Sequence, residues 1–271
     1  MPVTPSLSYT QFVDPPKLDD IAGDFGTDKS TRSRLPPTED GYSGRAASGH
    51  GYTIYYDYYL RSLLSKPISL LEIGVLDGKS LATWNKFFAA ASIYGLDLDP
   101  ACSRFENDRT KVIIGSQADA GVLADVCNKV PDGFDVIIDD GSHYVKHVIA
   151  SFQGLFDHLK PGGIYVIEDL HIAAWRDWGR IAFNRGMELH QDDGGNDPVE
   201  MYRFLTGVRE REDVAELTVH LKKICFIRKL AKTGGEGRNP WVRGDALEDL
   251  FPDPPKRTLL QKVAVKLLGN F

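Results

Sequence analysis

Five short apolar runs, separated by helical patterns, constrain the fold more than any other feature of the chain. They are SLLEIG (69–74), SIYGLD (92–97), KVIIG (111–115), FDVIID (134–139) and GIYVIE (163–168). The stretches between them, 79–90, 100–109, 118–129 and 144–159, carry apolar residues at helical spacing. Strands apolar on both faces need cover on both faces, which a parallel sheet flanked by helices provides. Two further runs, AELTVHL (215–221) and KKICFIRK (222–229), abut with no helix between them. They predict a hairpin that adds antiparallel strands to the sheet edge. The fold class is therefore α/β: a Rossmann-like seven-stranded sheet, mostly parallel, with an antiparallel C-terminal hairpin.

Three segments follow from this core. Residues 1–51 hold six of the fifteen prolines and read as a loop-rich arm or lid with little core of its own. Residues 52–231 form the main domain. It opens with Tyr52, Tyr55, Tyr56 and Tyr59 on one helical face, where tyrosines pack on a core and send their hydroxyls to the rim. Residues 232–271 form an extension, with a Gly- and Pro-rich connection over 232–256. Its tail, KRTLLQKVAVKLLGNF, suits a packing helix better than a membrane-surface one.

Charge and cysteine content exclude whole classes of function. The chain carries 32 Lys and Arg against 38 Asp and Glu, a net charge of −6, which argues against a nucleic-acid partner. Cys102, Cys127 and Cys225 are odd in number and far apart, so neither a disulfide framework nor a Cys-rich zinc site is expected. No apolar run approaches the roughly 18–20 residues of a membrane span. The opening MPVTPSLSYT has no charged n-region or apolar h-region, and the expected location is cytoplasmic.

In an open α/β sheet, ligands bind beyond the carboxyl ends of the strands. The first strand ends in Glu72-Ile-Gly74-Val-Leu-Asp-Gly78, whose glycines permit a tight turn. A P-loop needs four residues between its glycines and this segment has three, while Leu76 occupies the middle glycine of a dinucleotide fingerprint. Asp97, ending the second strand, is placed to accept hydrogen bonds from a ribose diol. Asp119 could bind an adenine amino group, although taken alone it reads better as an exposed residue in the first turn of a helix. Asp139-Asp140 and Glu168-Asp169 put four carboxylates at neighbouring strand ends, where like charges repel unless a cation joins them. Oxygen ligands of this kind suit Mg²⁺, although backbone amides or an arginine also satisfy such pairs. His143, three residues after Asp140, lies where a general base near neutral pH is useful. His147 and His171 are weaker candidates.

Together these residues resemble a class I S-adenosylmethionine-dependent methyltransferase. More narrowly, the chain is similar to the Mg²⁺-dependent macrolide sugar O-methyltransferases of the mycinamicin and tylosin type. The resemblance spans roughly residues 20–175. It rests on FGTDKS (25–30), HGYTIYYDYY (50–59), LLEIGVLDGKS (70–80), GLDLDP (95–100), IDDGSH (138–143) and LKPGGIYVIEDLH (159–171). It implies that Asp140, Glu168 and Asp169 ligate Mg²⁺ and that His143 takes the acceptor proton. It assigns Lys29, Glu72, Gly74, Asp97, Asp119 and Asp139 to the S-adenosylmethionine site, and His50, Tyr52 and His171 to the acceptor side. The implied reaction is methyl transfer to a hydroxyl of a small molecule, a sugar-bearing natural product, and a homo-oligomer is compatible with it. The alternative readings are a cephalosporin-hydroxylase-like protein, which shares the sheet and the acidic metal motifs, and a catechol-type methyltransferase, which would use metal and vicinal hydroxyls in the same way. A non-catalytic S-adenosylmethionine-binding module would need neither His143 nor the acid cluster.

Overall fold

The computed structural model describes residues 17–32, 34–35, 47–174 and 196–231. Its sheet contains β1 (Ser69–Ile73), β2 (Ser92–Asp97), β3 (Thr110–Ile114), β4 (Phe134–Asp139), β5 (Leu159–Ile167), β6 (Val214–His220) and β7 (Ile224–Lys229). They lie in the order β3-β2-β1-β4-β5-β7-β6. The pairings among β1 to β5 are parallel, while β7 runs antiparallel to both β5 and β6. The hairpin is at the edge, as its sequence predicts, with its second strand inserted against β5. Strand order reverses between β1 and β4, so a crevice opens above their carboxyl ends.

Alternation along each strand divides the core in two. Leu71, Ile73, Ile137, Tyr165, Ile167, Cys225 and Ile227 face one layer. That layer is covered by α4 (Ala120–Lys129), α5 (Val145–Leu155) and α6 (Pro198–Glu210) through Leu123, Val126, Val148, Phe152, Met201 and Leu205. Leu70, Ile93, Val136, Ile138, Val166 and Phe226 face the other. There α1 (Leu18–Phe25), α2 (Thr53–Leu60) and α3 (Lys79–Phe87) supply Leu18, Ile21, Tyr56, Leu60, Leu81 and Trp84. Each such large apolar side chain contributes about 1.5–3 kcal/mol on full burial.

Two sequence expectations need correction here. The segment before residue 52 contributes to the core, because α1 buries Leu18, Ile21 and Ala22 and packs against α2 and α3. Asp19 fastens it: its carboxylate accepts from the Thr31 amide at 2.8 Å, the Ser30 hydroxyl at 3.1 Å and the Thr53 hydroxyl at 2.5 Å. The helix expected over 100–109 is a 3₁₀ run, Pro100–Phe105, which Asp99 caps through the Ala101 amide. The connection at 232–256 and the amphipathic tail lie outside the described residues. Among the described residues, no helix is long and apolar enough to cross a membrane.

Candidate active site

The same alternation that builds the core aims the acids. Glu72 follows Leu71 and so faces the α1–α3 side, where its Oε2 accepts from the Ser80 hydroxyl at 2.7 Å. Glu168 follows Ile167 onto that side, and its Oε1 accepts from the Tyr56 hydroxyl. Asp139 points the opposite way. It is 1% exposed and is held by Ser151 on α5, by Gln117 Nε2 at 3.0 Å and by the Tyr165 hydroxyl at 3.4 Å. The four carboxylates that converge are therefore Glu72, Asp140, Glu168 and Asp169, rather than the two sequence-adjacent pairs. Asp139 instead braces the loop that carries Asp140: Gln117 bridges from it to the Ser142 amide at 2.7 Å.

Lys29, only 2% exposed, reaches into this cluster from the segment after α1. Its ammonium donates to Asp140 and to Glu168 Oε1 at 2.8 Å, and lies 3.6 Å from Glu72 Oε1. Burial opposes its charge, but Asp140, Glu168 and Glu72 more than offset this and hold the lysine pKa well above its usual value. Glu72 is pushed up to about 7 by burial, with Lys29 and Ser80 pulling the other way. Burial and the neighbouring Asp140 charge raise Glu168 well above the carboxylate range, against the pull of Lys29. The tyrosines of α2 do not follow the rim expectation. Tyr52 donates to Asp169 Oδ1 at 2.5 Å and Tyr56 to Glu168, so two hydroxyls point into the acid cluster. Burial beside these carboxylates raises both phenol pKa values, so both remain donors at neutral pH.

At the open side of the cluster, Asp140, His143 and Asp169 place ligand atoms within 4.8 Å of one another. His143 Nε2 is 3.8 Å from Asp140 Oδ1 and 3.9 Å from Asp169 Oδ2. His143 and Asp169 both have left-handed backbones, with φ of 56° and 54°. Such conformations in non-glycine residues cluster at functional sites. His50 Nδ1 joins from the α2 side, 3.6 Å from Asp169 Oδ1. Burial tends to raise the Asp169 pKa, yet His143, His50 and the Tyr52 hydrogen bond leave it lowered. His171, two residues after Asp169, has its pKa held down by burial. Four acid groups crowd around one buried ammonium, with burial raising Glu72 and Glu168, and this set of hard oxygen donors fits a divalent cation.

The remaining expected residues line the neighbouring strand ends. Gly74 (φ 89°) turns the chain so tightly that a β-carbon there would lie 2.1 Å from the Asp140 carbonyl oxygen. Asp97 braces this turn, accepting from the Val75 and Leu76 amides at 2.7 and 3.0 Å and from the Asp99 amide at 2.8 Å. Asp119 caps α4 through the Gly121 and Val122 amides, which is the helix-terminus alternative. Glu72 Oε1 is buried without a hydrogen-bond partner. An orphaned acceptor at the carboxyl end of β1 suits a ligand that brings a donor, such as the amino group of S-adenosylmethionine. Ser80, Gln117, Ser151 and Asn196 were missed by sequence reading. For Asn196 a signal existed, because the following Asp197-Pro198 marks a helix start.

Residues 71–170 match the family model described as a methyltransferase domain. The fold is shared with the MycE methyltransferase of the mycinamycin biosynthetic pathway, solved in complex with Mg, SAH and mycinamycin VI. That likeness has a TM-score of 0.63 at 28% identity, over 82% of this chain and 57% of the other. The sheet has the methyltransferase fold. The demethylmacrocin O-methyltransferase of Streptomyces fradiae and the mycinamicin VI 2''-O-methyltransferase of Micromonospora griseorubida are each 40% identical over 137 residues. In both, the match covers 48% of this chain and 34% of the relative. A Streptomyces olivaceus 2'-O-methyltransferase named for a rhamnosyl tetracenomycin is 34% identical over 133 residues, covering 46% of this chain and 35% of the relative. The chain thus spans about a third of the length of these curated relatives. The matched stretch of the methyltransferase domain contains Glu72, Asp97, Asp140, His143, Glu168 and Asp169, while Lys29, His50, Tyr52 and His171 lie outside it.

Proposed function

We propose that the chain is an S-adenosylmethionine-dependent, Mg²⁺-assisted O-methyltransferase acting on a sugar hydroxyl of a small molecule. The observation that carries this reading is the convergence of Asp140, His143 and Asp169 above β4 and β5, in a methyltransferase domain. Asp140 and Asp169 would hold the cation, with Glu168 as the third carboxylate. Glu72, the Gly74 turn and Asp97 would hold the cofactor beside them. When bound, the cation supplies Lewis acidity that lowers the acceptor pKa, and the cofactor supplies the methyl group.

The protein's own residues divide the remaining work. Lys29, Tyr52 and Tyr56 keep their protons, so none of them can act as the base. His143 Nε2 faces the space between Asp140 and Asp169 and is placed to take the hydroxyl proton as the methyl group arrives. Lys29 holds Asp140 and Glu168 in register by direct ion pairs. Support for a glycosylated acceptor comes from the relatives named above, one of which is named for a rhamnosyl compound.

The test is methyl transfer from labelled S-adenosylmethionine to matched pairs of glycosylated polyketides and their aglycones. Methylation confined to the glycosylated members is expected. Methylation of aglycones alone would contradict the sugar-hydroxyl reading. No transfer together with no adenosylhomocysteine binding would contradict the methyltransferase reading itself.

A further inference from the structure

Asn196 stands just before α6 and is 4% exposed. Its side chain spends its polar atoms on the backbones of two loops. The Oδ1 accepts from the Val145 amide at 2.9 Å. The Nδ2 donates to the His143 carbonyl at 3.1 Å and to the Ile172 carbonyl at 3.0 Å. The first loop joins β4 to α5 and carries Asp140 and His143; the second follows β5 and carries Asp169.

Each of these bonds meets a need that the sequence nearby leaves open. The first amides of a helix have no partner within it. Tyr144, at the cap position of α5, offers no capping side-chain hydrogen bond, and Asn196 satisfies the Val145 amide from 51 positions away. His143 is in the left-handed region with a β-carbon, a strained conformation that persists where surrounding structure fixes it. Its carbonyl is held by Asn196, so the strained residue is fixed on its C-terminal side. The third bond ties the same amide group to the loop after Asp169. His143 Nε2 approaches Asp169 Oδ2 to 3.9 Å across the two loops. Asn196 connects both loops through one rigid planar group.

We propose that Asn196 is a positioning residue that locks the His143 loop to the Asp169 loop and so sets the geometry of the cation- and proton-handling site. It touches neither ligand in this role and acts through the backbone of its neighbours. The role rests on the methyltransferase reading given above.

The test compares the full chain with Asn196→Asp and Asn196→Ser. The first keeps the acceptor for Val145 but sets an oxygen against two carbonyls; the second keeps one short hydroxyl. Three quantities are measured on each: adenosylhomocysteine affinity, Mn²⁺ affinity by calorimetry, and kcat and KM for methyl transfer. Supporting partners of a metal site typically change affinity or activity by about 10- to 100-fold. The expected result is a kcat or Mn²⁺ affinity lowered within that range, most in Asn196→Asp, with adenosylhomocysteine affinity preserved. Wild-type kcat and Mn²⁺ affinity in both variants would overturn the positioning role while leaving the methyltransferase reading intact. Loss of adenosylhomocysteine binding in both variants would mark a general structural role and overturn it as well. A wild-type chain that binds neither Mn²⁺ nor adenosylhomocysteine would overturn the underlying reading and the inference with it.

Discussion

His143 Nε2 stands 3.9 Å from Asp169 Oδ2, and both residues reach that position through left-handed backbones. The gap is too long for a direct hydrogen bond and short enough for both groups to face one bound hydroxyl. His143→Ala should therefore cut turnover by about 10²-fold or more while adenosylhomocysteine affinity stays nearly unchanged. Single-turnover kinetics beside calorimetry would check this. A loss under about tenfold would leave His143 a structural role.

Lys29 makes a second claim testable without turnover. Its ammonium is the buried counter-charge to Glu72, Asp140 and Glu168. Removing one partner of a buried ion pair typically costs about 3–5 kcal/mol. Lys29→Met should lower the unfolding free energy from urea titration at neutral pH by that order, and saturating Mg²⁺ should restore part of it. An unchanged value would show that Lys29 does not hold the cluster together.

Glu72 supplies a pH dependence of stability. Its pKa is about 7 in the folded chain against an ordinary value of 4.5. Between these two values the folded state holds the extra proton, so the Glu72 contribution to stability falls as pH rises through this window. Above about 7 it is flat. Glu72→Gln removes the term. The stability of wild type minus that of Glu72→Gln should therefore drop by about 1–3 kcal/mol from pH 4.5 to pH 7. Denaturant midpoints measured at both ends would show it; a difference that rises with pH would contradict it.

Asp97 braces the turn after β1, and we propose that it also binds the cofactor ribose. Asp97→Ala should weaken adenosylhomocysteine binding by roughly 1.5–3 kcal/mol, the scale of hydrogen bonds to a charged group. Isothermal titration gives this directly, and an unchanged affinity would confine Asp97 to bracing the Val75 and Leu76 amides.

The strands were legible because continuous apolar runs admit few arrangements, and β2 and β4 match their predicted bounds. The site was legible as far as strand ends are, since Asp140, His143, Glu168 and Asp169 follow β4 and β5 directly in the chain. Periodicity gives the face a residue lies on but not its distant partner. Periodicity puts Tyr52 and Tyr56 on the core-packing face with hydroxyls toward the rim, yet those hydroxyls meet acids 117 and 112 positions away. Lys29 meets Glu168 across 139 positions. The direction of Asp139 was implicit in the two-residue alternation of β4, because adjacent acids cannot both face one side. Asn196 was hidden for another reason: a capping side chain supplied from a remote segment leaves no local pattern.

The most direct test of a cation-assisted methyl transfer is the rate of transfer with and without EDTA, on wild type and on Asp140→Asn. Wild-type activity should vanish in EDTA and return with Mg²⁺, while Asp140→Asn stays inactive in Mg²⁺ and still binds adenosylhomocysteine. Full activity of the wild-type chain in EDTA would contradict the role assigned to Asp140, Glu168 and Asp169.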